Sequence, residues 1–138
     1  MNPRIRFLTC PFTGEELAAV PALRPDVAII HAQKADRAGN VLMEGILGVQ
    51  KEAVLAARRA LVTVEEIVDH LAPSSPNSVI LPGWALSGIA AVPRGAHPSY
   101  ALGYYRRDNS FYVAWDGISR DRKTFQEWMR RHVIERAQ

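Results

Sequence analysis

An α/β fold with parallel strands is the architecture expected of this 138-residue sequence. Three runs carry the expectation. Val27 to Ala32 is a short apolar run with β-branched residues, bounded by Pro25 and by polar Gln33-Lys34. That is the pattern of a strand buried on both faces. Lys51 to Ala60 reads as a helix, and Leu61 to Val64 as a second buried strand. Strand, turn, helix and strand in that order build a parallel layer. Ligands of such sheets sit beyond the carboxyl ends of strands. The rule puts His31, Gln33 and Lys34 at or just past one strand end, and Glu65 and Glu66 at the other.

Before the first of these runs, Arg4 to Cys10 alternates loosely and reads as a strand or extended arm. Pro11 to Gly14 is a turn, and Glu15 to Val20 a short strand or helical turn limited by Pro21. Asp36-Arg37-Ala38-Gly39-Asn40 is a turn: Asp bonds its own backbone two residues on, and Gly and Asn tolerate positive φ. Val41 to Met43 reads as extended, followed by a glycine-bounded connection. In the helix that follows, Val49, Ala53, Val54 and Ala57 share a face, and Arg58 and Arg59 occupy the last turn, where the helix dipole favours cations.

Pro73 to Pro76 lies in the clearest loop of the chain. Ser78 to Leu81 reads as a short strand ended by Pro82-Gly83, and Trp84 to Val92 as a short helix. Pro93 to Ser99 is irregular. Asn109 to Trp115 reads as a helix, and Arg122 to Arg136 as an amphipathic one with Phe125, Trp128, Met129, His132 and Val133 on its stripe.

Composition narrows the class. Hydrophobic residues make up 48% and charged residues 22%, as in ordinary globular domains. No apolar run approaches the roughly 20 residues of a membrane span, and Met1 to Arg4 lacks the apolar core of a secretory signal. One cysteine, Cys10, excludes an internal disulfide framework and fits a reducing cytoplasm. The net charge of +3 is uneven: from Arg94 onward nine Lys/Arg stand against five Asp/Glu. A basic tail of this kind suits nucleic acid, a phosphorylated ligand or an acidic partner; a solvated helical face is the simplest reading.

Few residues stand out as chemistry. The four histidines lack metal-ligand spacing, and no phosphate-binding glycine loop or Gly-x-Ser-x-Gly elbow is present. Glu65 and Glu66 are adjacent, so in a strand they face opposite ways and cannot form one acid/base pair. His31 sits where a parallel sheet places function, and a satisfied core histidine is the competing reading. His97 lies in a loop bounded by Gly95 and Pro98, and loops carry function disproportionately. His97, His31 and Glu65 are the expected substrate-binding residues.

Several blocks in order carry a family likeness. Lys34 to Asn40, the run Val64-Glu65-Glu66-Ile67-Val68, Gly45-Ile46-Leu47-Gly48 and Gly95-Ala96-His97-Pro98-Ser99-Tyr100 resemble the α subunit of family I CoA-transferases, the last two its glutaconate branch in particular. The likeness runs from about Cys10 to the C-terminal helix. It implies that residues 1–138 are a single domain, the C-terminal portion of such a subunit, with about 94–138 as a basic helical extension. It also implies an α/β, mostly parallel-sheet CoA-transferase-type domain with flanking helices.

The activity so implied moves CoA from an acyl-CoA donor to a carboxylic acid. A glutamate carried by the β subunit is the nucleophile toward the thioester. An acyl–glutamyl anhydride forms, CoA thiolate captures the glutamyl group, and the acceptor acid takes the CoA. The family's Gly-Gly-Phe type loop and its Ser-Glu-Asn-Gly type motif do not occur here. No catalytic residue and no metal is therefore expected of this chain, and no cofactor beyond the CoA thioester as substrate. The expected partner is a β subunit in a hetero-oligomer, with neither nucleic acid nor membrane, in the cytoplasm. A CoA-thioester hydrolase of the same superfamily and a non-catalytic partner-binding module are the alternatives.

Overall fold

The computed structural model describes residues 3–135. Arg136, the expected end of the last helix, lies outside them. The N-terminal arm is a hairpin: β1 (Arg6–Thr9) pairs antiparallel with β2 (Glu16–Ala19) across a turn in which Gly14 takes φ +74°. The segment expected to be strand or helical turn is thus a strand. It forms its own two-stranded sheet, with Phe7 and Leu8 exposed.

The main sheet contains β3 (Val27–Asp36), β4 (Val41–Met43), β5 (Arg59–Val68), β6 (Val79–Leu81) and β7 (Gly88–Ala91) in the order β6-β4-β3-β5-β7. With its flanking helices this is the expected α/β class. The sheet is mixed: β5 runs parallel to β3 and to β7, while β4 runs antiparallel to β3 and to β6. The antiparallel half follows from the Asp36–Asn40 turn, which is too short for anything but a hairpin.

Both long strands exceed their expected lengths. β3 does not stop at Ala32, and β5 begins at Arg59 and runs past Leu61–Val64. His31, Gln33, Lys34, Glu65 and Glu66 therefore lie within strands, not beyond their ends. β3 is also not buried on both faces along its length. Ala28, Ile30 and Ala32 are in the core, while Val27 and Ile29 stay exposed. Only at Gln33 and Ala35 does the second face become buried.

The helix after β4 is shorter than expected. α1 spans Gln50–Ala56, and Arg58 and Arg59 are not in its last turn. Instead the Arg58 amide donates to Pro25 O at 2.9 Å, tying the start of β5 to the entry of β3. Val54 is fully buried against Ala28, Ile30, Ala60 and Val62, with Ala53 and Ala57 packed beside it. Small alanines let the helix approach the sheet closely; Val49, expected on the same face, is exposed.

Trp84 to Val92 is a second correction. It holds one 3₁₀ turn, Gly83–Ala85, and then β7. The Ser87 amide donates to Ala60 O and the Val92 amide to Val64 O, both at 2.8 Å, so the open edge of β5 claims this segment's hydrogen-bonding groups. A tertiary ladder outweighs a weak local helix preference.

The β3–β4 turn forms as expected. Asp36 accepts from the Asn40 amide and from the Asn40 side chain, each at 2.8 Å, which holds its carboxyl below the usual range. Asn40 Oδ1 in turn accepts from the Gly83 amide at 3.1 Å, locking the turn to the 3₁₀ segment. Gly39 has φ +86°. Gly39→Ala should cost about 1 kcal/mol through that backbone conformation. A urea midpoint equal to the wild type's would show that the turn tolerates a side chain.

Beyond the sheet, α2 (Asn109–Arg120) and α3 (Arg122–Met129) form a helical pair, followed by one π-helical turn at Arg130–Ile134. Asp108 caps α2 by accepting from the Phe111 amide at 3.0 Å, and Asp121 caps α3 by accepting from the Thr124 amide at 2.8 Å. The expected aromatic stripe packs between them, with the Trp115 and Trp128 ring centroids 4.9 Å apart at 80°.

Candidate functional site

The face of the sheet opposite α1 carries a histidine–carboxylate pair. In the parallel register of β3 and β5, His31 lies opposite Thr63. Glu65, two residues beyond Thr63, shares its face. His31 Nε2 donates to Glu65 Oε1 at 2.6 Å, and His31 Nδ1 lies 2.8 Å from the Thr63 hydroxyl. With the proton on Nε2, Nδ1 accepts from Thr63. Both ring nitrogens are engaged, so His31 is a held ring and not a free base.

Glu65 is the centre of this network and only 7% exposed. Its second oxygen accepts from the Arg94 amide at 2.8 Å. The Tyr105 hydroxyl, itself an acceptor for the Ala96 amide at 2.9 Å, is a further partner. Burial pushes the Glu65 carboxyl up, but the Arg94 amide, the Tyr105 hydroxyl and His31 outweigh it and hold the group below the ordinary carboxylate range. Burial and the Glu65 carboxylate push the Tyr105 phenol up.

The same bonds fasten the Val92–Ser99 loop to the sheet. Arg94 takes φ +62°, turning its amide onto Glu65, and its guanidinium sits 5.1 Å from the Tyr105 ring centroid. Gly95 lies so close to the imidazole that a Cβ there would be 2.7 Å from His31 Nδ1. The glycine in the Gly95-Ala96-His97 run is thus required by contact.

Beside this network opens a cleft of about 360 Å³. Its lining includes Ile29, His31 and Gln33 from β3, Glu44, Ile46, Leu47 and Gln50 from the β4–α1 connection, and Ala96, Ser99 and Tyr100 from the loop. Gln33 is fixed by two bonds to the Glu44 backbone: it accepts from the amide at 2.9 Å and donates to the carbonyl at 3.2 Å. The Glu44 carboxylate accepts from the Ser74 hydroxyl and amide and from the Ser78 hydroxyl, which hold it below the usual range.

The structure therefore brings His31 and Glu65 together and leaves His97 apart. His97 is exposed, does not line the cleft, and packs its ring 6.2 Å from Phe111 at the start of α2. Glu66 faces the other way, as adjacent strand residues must. It accepts from the Tyr104 hydroxyl at 2.6 Å and pairs with Lys34 at 3.1 Å, and Tyr104 is pushed up by burial and by this carboxylate. Sequence reasoning does not single out Thr63, Arg94 or Tyr105. Thr63 is within its reach, since the i, i+2 spacing places it beside Glu65. Arg94 acts through its backbone, and Tyr105 arrives from 40 residues downstream of Glu65, so neither leaves a local signal. Among the described residues no group of three or more His, Cys, Asp and Glu side chains is placed to hold a metal ion.

A mixed sheet carrying a buried histidine–carboxylate pair at the wall of a cleft defines an α/β ligand-binding domain. The coenzyme A transferase family model matches residues 8–91, and the chain belongs to that family. The α subunit of 3-oxoadipate CoA-transferase from Pseudomonas knackmussii is 66% identical over 134 residues, covering 96% of this chain and 47% of that one. The crystal structure of glutaconate coenzyme A-transferase from Acidaminococcus fermentans superposes with a TM-score of 0.83 at 34% identity, over 96% of this chain and 42% of that one. The cholesterol ring-cleaving hydrolase IpdA subunit of Rhodococcus jostii is 30% identical over 90% of this chain and 44% of its own. The chain thus spans about half the length of the curated relatives it matches.

Proposed function

We propose that this chain is part of the α subunit of a CoA-transferase that moves CoA from an acyl-CoA donor to a carboxylic acid. The observation that carries the reading is 66% identity, over nearly the whole chain, to the corresponding subunit of 3-oxoadipate CoA-transferase. In this reading residues 1–138 are one domain and about 94–138 its basic helical extension. A β subunit supplies the glutamate that attacks the thioester, in a hetero-oligomer of the cytoplasm. The CoA thioester is a substrate, and no resident cofactor is involved. The chain's own part is to build one wall of the substrate cleft, with His31 and Glu65 holding that wall rigid. Its His–Glu pair has no free nitrogen with which to abstract a proton, which favours scaffolding over chemistry at this spot. His97, on the outside of the same loop, stays a candidate contact for a ligand or partner chain.

The test is reconstitution with a β subunit, using succinyl-CoA and a panel of dicarboxylic and 3-oxo acids. CoA should pass to one of the acids when both chains are present, and the 138-residue chain alone should give no transfer. Turnover by the purified chain alone would overturn the assignment of the nucleophile to the partner. Loss of thioester without a new acyl-CoA would favour the second reading, a CoA-thioester hydrolase, which the likeness to the ring-cleaving hydrolase supports.

A further inference from the structure

The cleft beside His31 has an electrostatic character that selects its ligand. No lysine or arginine lines it. Two carboxylates border it instead: Glu44 in the lining, and Glu65 directly behind His31 at 2.6 Å. Both are held below the ordinary carboxylate range by the donors around them, so both are anionic near neutral pH. Lys34, whose charge acts on Glu44, is paired with Glu66 at 3.1 Å and does not line the cleft. A free carboxylate entering here meets two negative charges and no counter-charge, and the desolvation of an unpaired anion adds to that cost.

The groups left over for a ligand are neutral. Gln50, Ser99 and Tyr100 line the cleft and make no side-chain hydrogen bond among the described residues. They offer a carboxamide and two hydroxyls, which pair with amide N–H and C=O groups. Ile29, Ile46 and Leu47 provide apolar wall between them. At about 360 Å³ the space suits a slender fragment and not a whole nucleotide cofactor.

We propose that this cleft holds an uncharged, amide-bearing chain, the pantetheine arm of a CoA thioester, and turns away free carboxylates. The proposal rests on the CoA-transferase reading, which supplies a substrate with two amides on a flexible arm. The acceptor acid then binds elsewhere in the assembled site, outside the wall built by His31 and Glu65.

The test uses the full-length α subunit in complex with its β subunit. Acetylpantetheine and glutarate are titrated separately, by calorimetry, into the wild type and into the double variant Gln50→Ala, Ser99→Ala. Acetylpantetheine affinity should fall about tenfold in the variant, the size expected for two neutral hydrogen bonds, while glutarate affinity is unchanged. A second variant, Gln50→Lys, adds a cation to the cleft. Glutarate should then compete with acetylpantetheine, which it should not do in the wild type. Unchanged acetylpantetheine binding in the double variant, no binding in the wild type, or weakened glutarate binding would each overturn the proposal. A separate transfer assay keeps the two ideas apart. An assembly that transfers no CoA but loses pantetheine affinity in the variant sinks the transferase reading alone. One that transfers CoA with an unaltered KM for the thioester in the variant sinks the cleft assignment alone.

Discussion

Replacing Glu65 by alanine should destabilise the protein by about 3 kcal/mol, the scale of breaking a buried, hydrogen-bonded pair. The side chain is nearly inaccessible and receives His31 Nε2 at 2.6 Å and the Arg94 amide at 2.8 Å, with Tyr105 as a further partner. Alanine leaves all of these donors facing a void, and each unsatisfied buried donor costs about 1–3 kcal/mol. Glu65→Gln should cost less, because its oxygen still accepts from one donor while its NH₂ group faces the other. The effect has a definite pH dependence. The carboxyl is depressed in the folded state relative to its ordinary value of 4.5. Its stabilisation is therefore complete above that value and fades as pH falls through the lower folded value. Urea unfolding at pH 7 should separate wild type from the alanine variant widely, and the gap should narrow below about pH 4. Equal midpoints at pH 7 would show that the network contributes nothing to stability.

Gly95→Ala should disable the cleft more than any other single methyl. The added Cβ would stand 2.7 Å from His31 Nδ1, 2.8 Å from His31 Cε1 and 2.9 Å from Val92 O. The imidazole cannot retreat, since Glu65 and Thr63 hold its two nitrogens. The backbone oxygen cannot retreat without lifting the loop off the sheet. Overpacking of this kind costs about 1–3 kcal/mol. The larger consequence is displacement of Ala96, Ser99 and Tyr100, which form one wall of the cleft. In the assembled enzyme, KM for the thioester should rise at least about tenfold, a misplacement of about 1 Å being costly in such sites. Gly48→Ala is the control: its Cβ would meet nothing within 4 Å, although its φ of +54° still carries the backbone strain. If Gly95→Ala and Gly48→Ala behave alike, the close approach to His31 has no functional weight.

Local chemistry is enough to find much of this molecule. The Asp36–Asn40 turn follows from an Asp, a Gly and an Asn in the right order, because each acts on the backbone within four residues. The opposed directions of Glu65 and Glu66 follow from the two-residue period of a strand, and the structure sends one to His31 and the other to Tyr104 and Lys34. The aromatic stripe of α2 and α3 follows from the helical period. The blocks carrying the CoA-transferase likeness, Lys34 to Asn40 and Gly95 to Tyr100, include the turn and the loop that shape the site.

Other features need the whole chain. Gly88 to Ala91 reads as helix in isolation and becomes a strand because β5 offers an unpaired edge beside it. Val27 and Ile29 look as buried as Ile30, yet they are exposed, because burial depends on what covers a face and not on the residues that make it. His31 and Glu65 each stand out in the sequence, but as separate residues at two strand ends. Their 2.6 Å bond joins positions 34 apart in the chain and exists only because β3 and β5 lie parallel in one register. Hydrophobic period and turn chemistry act over a few residues and are written in the order of amino acids. Strand pairing, the choice of covered face and the meeting of distant side chains are settled by competition among all segments for the same hydrogen bonds and the same apolar surface, and so by the folded chain alone.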